Sequence, residues 1–185
     1  MTIAEEKQQL REFIANRIAE MTIEEKVSQS ETICSELLER IPLDSTVCAY
    51  SALENEVDLT QCISGLLRRG DRVFLPRYAE EAVTFHHIQN LNELTMSPLS
   101  ILEPPADFDQ ANPRTIDVVL VPGRAFDSKG KRLGRGKGGY DRWIEEQISA
   151  NHKAKIWGVA FPCQMVEEVP TEEHDQRMDE VIFAN

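Results

Sequence analysis

IDVVLVPGRAFDSKGKRLGRGKGGYDRW, residues 116–143, is the stretch that decides the fold. It opens on Ile116 to Val121, a short β-branched and apolar run bounded by turn residues, which reads as a buried strand. Four glycines then fall within six positions, Gly134, Gly136, Gly138 and Gly139, and the pattern from Tyr140 to Ser149 is helical. A strand that leads through such a loop into a helix is one unit of an α/β layer fold.

Further units lie on either side. Thr46 to Tyr50, Arg72 to Leu75, Ile156 to Ala160 and Val181 to Phe183 are also short buried runs, and helical patterns at Val57 to Arg69 and about Ala79 to Leu91 fall between them. At the front of the chain, Thr2 with Glu5 and Thr22 with Glu25 form capping boxes and start helices over about 3–20 and 23–40. In the first helix Ile3, Leu10, Ile14, Ile18 and Met21 make an apolar stripe, with Lys7 inside it and Arg11 on its flank. The alternation predicts an α/β fold with a largely parallel central sheet flanked by helices on both faces, in one domain over residues 1–185. Pro98 to Pro113, with four of the nine prolines, reads as a long connection over the surface.

Composition narrows the function classes. A hydrophobic share of 41% and a charged share of 28% are ordinary for a globular chain of 185 residues. There is no apolar run of bilayer length, and the first residues are charged and amphipathic, so a soluble cytoplasmic protein without membrane partners is expected. Cys34, Cys48, Cys62 and Cys163 make no CxxC pair, and His86, His87, His152 and His174 have no zinc-ligand spacing; reduced, mostly buried thiols are expected. The net charge of −12 argues against long nucleic acids, whose affinity rests on many cation–phosphate contacts. Yet residues 124–142 carry seven basic and two acidic side chains, a local +5 that leaves −17 for the remainder. A short cationic segment of that kind suits a small anion.

The loop chemistry points the same way. Glycines let backbone approach a ligand and expose N–H groups, the helix start near Tyr140 adds unpaired N–H groups and a positive dipole end, and Arg132, Arg135 and Lys137 add full charges. Together these describe a polyphosphate cradle; a glycine-rich surface loop with solvated cations is the plainer reading of the same residues. GRGKGG satisfies GxGxxG, but twelve residues separate Val121 from Gly134, where a dinucleotide fingerprint sits at the strand end. A Walker loop needs Gly-Lys-Ser/Thr, and here Gly138 follows Lys137. The interleaved RGKGGYDRW also has the look of a strand-stacking segment, which the net charge opposes.

Beyond the loop, several segments occur in an order that resembles the 5-formyltetrahydrofolate cyclo-ligase family: Lys7, Leu10 and Arg11 on the first helix, AYSALENEVDL (49–59), FLPR (74–77), ILEP (101–104), Gln164, and VPTEEHDQRMDEVI (169–182). The resemblance covers nearly the whole chain. It implies a monomeric enzyme that uses ATP and Mg2+ to close 5-formyltetrahydrofolate to 5,10-methenyltetrahydrofolate; the alternative is a relative of the same fold that uses ATP on another substrate.

The resemblance also assigns residues. It places Lys7, Arg11 and the run Arg132, Leu133, Gly134, Arg135, Gly136, Lys137, Gly138, Gly139 and Tyr140 at the nucleotide. Arg135 to Gly139, with Ser51 and Glu56, would border the folate, and Arg135, Lys137 and Tyr140 would carry the catalysis. Asp141 and Asp175 would be the carboxylates for Mg2+, a hard cation that prefers oxygen. One position departs from the pattern: the family has two tyrosines before the aspartate, and here the first is Gly139. A lost aromatic contact is worth on the order of 1 kcal/mol beyond area burial, and Trp143 and Phe161 are the rings expected to compensate.

Overall fold

Both N-terminal capping boxes form. Thr2 and Glu5 exchange bonds of 2.8 and 3.3 Å at the start of α1 (Ile3–Ala19), and Thr22 and Glu25 do so at 2.7 and 3.1 Å before α2 (Ile23–Arg40). The computed structural model describes residues 2–79, 82–98, 100–136, 139–172 and 175–184. After α2 come β1 (Thr46–Cys48), α3 (Thr60–Arg68), β2 (Arg72–Ala79), β3 (Ala82–Ile88), β4 (Thr95–Met96) and β5 (Leu102–Glu103). The remainder comprises β6 (Val118–Pro122), β7 (Ala125–Asp127), β8 (Arg132–Leu133), α4 (Gly139–Ala150), β9 (Lys155–Ala160), β10 (Met165–Val166) and β11 (Glu180–Phe183).

The main sheet has the order β11-β9-β6-β1-β2-β3, and every neighbouring pair is parallel except β2 with β3. Side chains alternate between its faces, as a strand period of two requires. Val118 and Leu120 of β6 join a core with Ile33 and Leu37 of α2 and Ile63 and Leu66 of α3. Val119 and Val121 face the other way, toward Ile144 of α4. Helices therefore cover both faces, as the sequence pattern predicts.

Two segments differ from expectation. Ala79 to Leu91, read as a helix, contains the strand β3, paired antiparallel to β2 from Val73↔Ile88 to Ala79↔Ala82. In β3, Val83 and Phe85 pack into the core on the α4 side while Ile88 joins the core on the opposite face. A hairpin partner at the sheet edge thus won over a weak helical period. The helix read from Val57 starts instead at Thr60, because residues 51–59 are drawn into other bonds: Tyr50 Oη donates to Val57 O at 2.9 Å, and Asp58 N donates to Ser30 Oγ at 3.1 Å.

A smaller sheet, β10-β7-β8, sits against the main one. Gly123 and Gly158 make room for the buried Phe126 ring; a Cβ on either would come within 2.5 and 2.6 Å of that ring. The β7–β8 turn is closed by fully buried Asp127, whose Oδ1 accepts from Lys129 N (2.9 Å) and Lys131 N (3.0 Å) and whose Oδ2 accepts from Val169 N (3.0 Å). On this sheet α1 docks through Ile14 and Ile18, which pack with Ala125, Leu133 and Val169. That docking brings Lys7 and Arg11 to the carboxyl edge of the main sheet.

Asp127→Ala leaves three backbone N–H groups without an acceptor, that of Val169 buried and those of Lys129 and Lys131 partly so, each worth roughly 1 kcal/mol. The expected loss is about 3 kcal/mol of unfolding free energy, read from urea denaturation midpoints.

Candidate active site

The loop after β1 and the glycine-rich loop after β8 meet where Glu56 contacts Arg135. Glu56 Oε2 accepts from Leu53 N at 3.0 Å, which turns its Oε1 toward Arg135 Nε (3.1 Å) and Nη2 (2.8 Å). The Glu56 side chain is only 7% exposed, the Arg135 side chain 37%. Beside Glu56 opens a cavity of about 520 Å³ between α2, residues 51–59 and the β4–β5 hairpin, with Ser51, Leu53 and Phe161 in its wall. That volume is in the range of small-molecule sites.

Helix α1 closes the other side. Arg11 Nε donates to Gly134 O at 3.0 Å, and its guanidinium lies against Gly136, whose φ of +90° is strained for any residue with a Cβ. One turn earlier, buried Lys7 Nζ donates to Asp175 Oδ2 (2.6 Å) and Glu172 Oε2 (2.7 Å). Burial works against this ammonium, but the bonds and charges of Asp175 and Glu172 outweigh it and hold Lys7 above its ordinary pKa.

A third group secures the start of α4. Arg132 Nη2 donates to Asp141 Oδ1 (2.8 Å), Nη1 to Pro122 O (3.2 Å), and the guanidinium lies 5.9 Å from the Tyr140 ring centroid. The Tyr140 ring stands edge-on to Phe85 at 6.2 Å, and its hydroxyl is 3.5 Å from that of Tyr78. Burial pushes the Tyr140 hydroxyl well above its ordinary pKa, with Tyr78 the next cause. Tyr140 therefore offers a proton or accepts a hydrogen bond, but is no phenolate base.

The residues expected at a single site thus fall into neighbouring groups. Glu56, Arg135, Arg11, Gly134 and Gly136 meet at one corner, with Ser51 in the cavity wall. Lys7 and Asp175, expected on nucleotide and metal respectively, bond to each other, and Arg132 and Asp141 do the same. Leu133 turns its side chain into the core beside Ile14 and Ile18. Gly139 opens α4, and Lys137 and Gly138 lie outside the described residues. Of the compensating rings, Trp143 is taken up by Phe85 at 4.3 Å, whereas Phe161 lines the cavity.

Three participants were not singled out from sequence. Tyr78 follows directly on FLPR and reaches Tyr140; Glu172 lies in the same quoted run as Asp175; Arg124 was counted only as charge. Among the described residues no group of three or more carboxylate, imidazole or thiol ligands converges. Asp141 and Asp175, the carboxylates expected for Mg2+, each sit in a separate ion pair, with Arg132 and with Lys7. Among the described residues no helix is long and apolar enough to cross a membrane.

The sequence profile of the 5-formyltetrahydrofolate cyclo-ligase family matches residues 3–184. The chain belongs to that family. As a member it is a ligase. It is 31% identical over 176 residues to the 5-formyltetrahydrofolate cyclo-ligase of Escherichia coli (strain K12), covering 92% of this chain and 96% of that one. The Mus musculus 5-formyltetrahydrofolate cyclo-ligase is 24% identical over 196 residues, with 100% and 97% covered. The solved structure of Aquifex aeolicus 5,10-methenyltetrahydrofolate synthetase superposes with a TM-score of 0.80 at 29% identity, covering 95% of this chain and 88% of that one. Its Mycoplasma pneumoniae counterpart, at 21% identity with 96% and 98% covered, shares the fold with a TM-score of 0.77.

The buried acids of the site region set an alkaline limit. Burial is the first cause in each case: it pushes Cys34 to about 11, and Cys62 and Tyr78 to about 12. In the unfolded chain thiols titrate near roughly 8.5 and phenols near 10. The folded state keeps its protons where the unfolded state loses them, so this stability is complete below about pH 8.5 and is lost as pH rises toward 12. Melting temperatures are expected to fall steadily above about pH 9, and phenolate absorbance to appear only with unfolding.

Proposed function

We propose that the protein closes 5-formyltetrahydrofolate to 5,10-methenyltetrahydrofolate with conversion of ATP to ADP and phosphate. The observation that carries this reading is the Glu56–Arg135 contact, which joins the cavity-side loop to the glycine-rich loop that Arg11 touches. A carboxylate in the cavity wall accepts N–H groups of a pterin-like ring. An arginine beside it, in reach of a phosphate-binding corner, meets the place where the two substrates react.

The formyl oxygen of the substrate is a poor leaving group. In the first step the bond from the γ-phosphorus to the bridging oxygen breaks, ADP leaves with the electron pair, and the phosphorus bonds to the formyl oxygen. N10 then attacks the formyl carbon, the C–O bond breaks, and phosphate departs with the N10 proton. Little covalent chemistry falls to the protein, which positions groups and neutralises charge. Arg11 and Lys7 hold nucleotide phosphates from one face of α1, Glu56 and Ser51 orient the folate, and Arg135 with Lys137 stabilises the transferring group. Tyr140 serves as a protonated neighbour of that group. Asp141 and Asp175 would hold Mg2+, which would supply positive charge to the nucleotide phosphates. Free thiols at all four cysteines agree with a cytoplasmic setting.

Purified protein mixed with 5-formyltetrahydrofolate and Mg-ATP is expected to develop the methenyl absorbance, and not to do so without ATP. A flat trace with ATP still bound would instead favour a relative that acts on another substrate. Arg11→Ala removes a charge-assisted phosphate contact of about 1.5–3 kcal/mol, so the KM for ATP should rise by roughly tenfold or more while the melting temperature stays within a few degrees.

A further inference from the structure

Arg124 ends the turn between β6 and β7, and its backbone N–H donates to Leu133 O at 2.7 Å. This bond sets it beside the two residues, Gly134 and Arg135, that Arg11 and Glu56 hold. Gln164 Nε2 fixes the same turn by donating to the carbonyls of Gly123 (2.7 Å) and Arg124 (3.1 Å). The side chain is half-buried, and among the described residues its Nη1 is buried with no hydrogen-bond partner. An orphaned guanidinium N–H is costly, and a native protein that keeps one has a use for it.

The neighbouring charges indicate what it lacks. Burial first, and then the like charges of Arg135 and Arg11, act against the Arg124 cation, while Glu56 alone favours it. Glu56 is already bonded to Arg135. Among the described residues three arginines thus share one carboxylate, a local excess of two positive charges in a chain of net charge −12. A phosphate group, with about two negative charges and several acceptor oxygens, balances that excess.

We propose that Arg124 is a phosphate ligand of this site, completing with Arg11 and Arg135 a three-arginine receptor for the phosphoryl group on its way to the second substrate. The proposal rests on the reaction put forward above and adds a residue to it.

Arg124→Met keeps the length and removes the donors. Three readings are expected: a ligand-free melting temperature equal to or a few degrees above wild type, loss of most of the thermal stabilisation that millimolar orthophosphate gives wild type, and a kcat about 100-fold or more lower. Arg124→Lys, which keeps the charge without the fork, should recover part of the last two. A wild type indifferent to orthophosphate, a methionine variant that keeps the full response, or one that melts lower yet turns over normally would each overturn the proposal. If wild type forms no methenyl product but keeps an Arg124-dependent phosphate response, the reaction fails while the phosphate site stands.

Discussion

Parallel pairing of β1 with β6 is the constraint on which the site depends. Val47 lies opposite Val118 and Cys48 opposite Val119, so both strands run the same way and must release their following loops at one edge. Ligands of open α/β sheets gather at that edge for this reason. Here the loop after β1 and the β7–β8 hairpin that follows β6 bring Glu56 to Arg135 across 79 positions of chain. Reversing either strand would put the two loops at opposite ends of the sheet, and no choice of loop residues would restore the contact.

Charge then separates the corner from the rest of the molecule. Lys7 is matched by Asp175 and Glu172, and Arg132 by Asp141, so in the ligand-free protein these charges balance one another. Among the described residues, Arg11, Arg124 and Arg135 have only the Glu56 carboxylate among them. A protein with a large net negative charge repels anions at long range, and a local cluster of cations is what lets it hold one.

Much of this was legible in the sequence, for physical reasons that differ by element. The apolar strands β1, β6 and β9 and the capping boxes carry strong local signals, and Glu56, Arg11 and Arg135 were reachable through motif resemblance. Strand β3 was misread because its register depends on β2, a partner that periodicity does not see. The bond between Lys7 and Asp175 was not legible in the sequence because it spans 168 positions of chain. Arg124 sits outside any motif, and its significance appears only when its Nη1 is found buried and its neighbours are known to be cations.

The central claim is that the corner joins a phosphoryl group to the formyl oxygen. The most direct test labels that oxygen with 18O in 5-formyltetrahydrofolate, supplies Mg-ATP, and analyses the phosphate released by mass spectrometry. The account predicts one 18O atom in each phosphate formed. Unlabelled phosphate, with the heavy oxygen recovered in water, would contradict it.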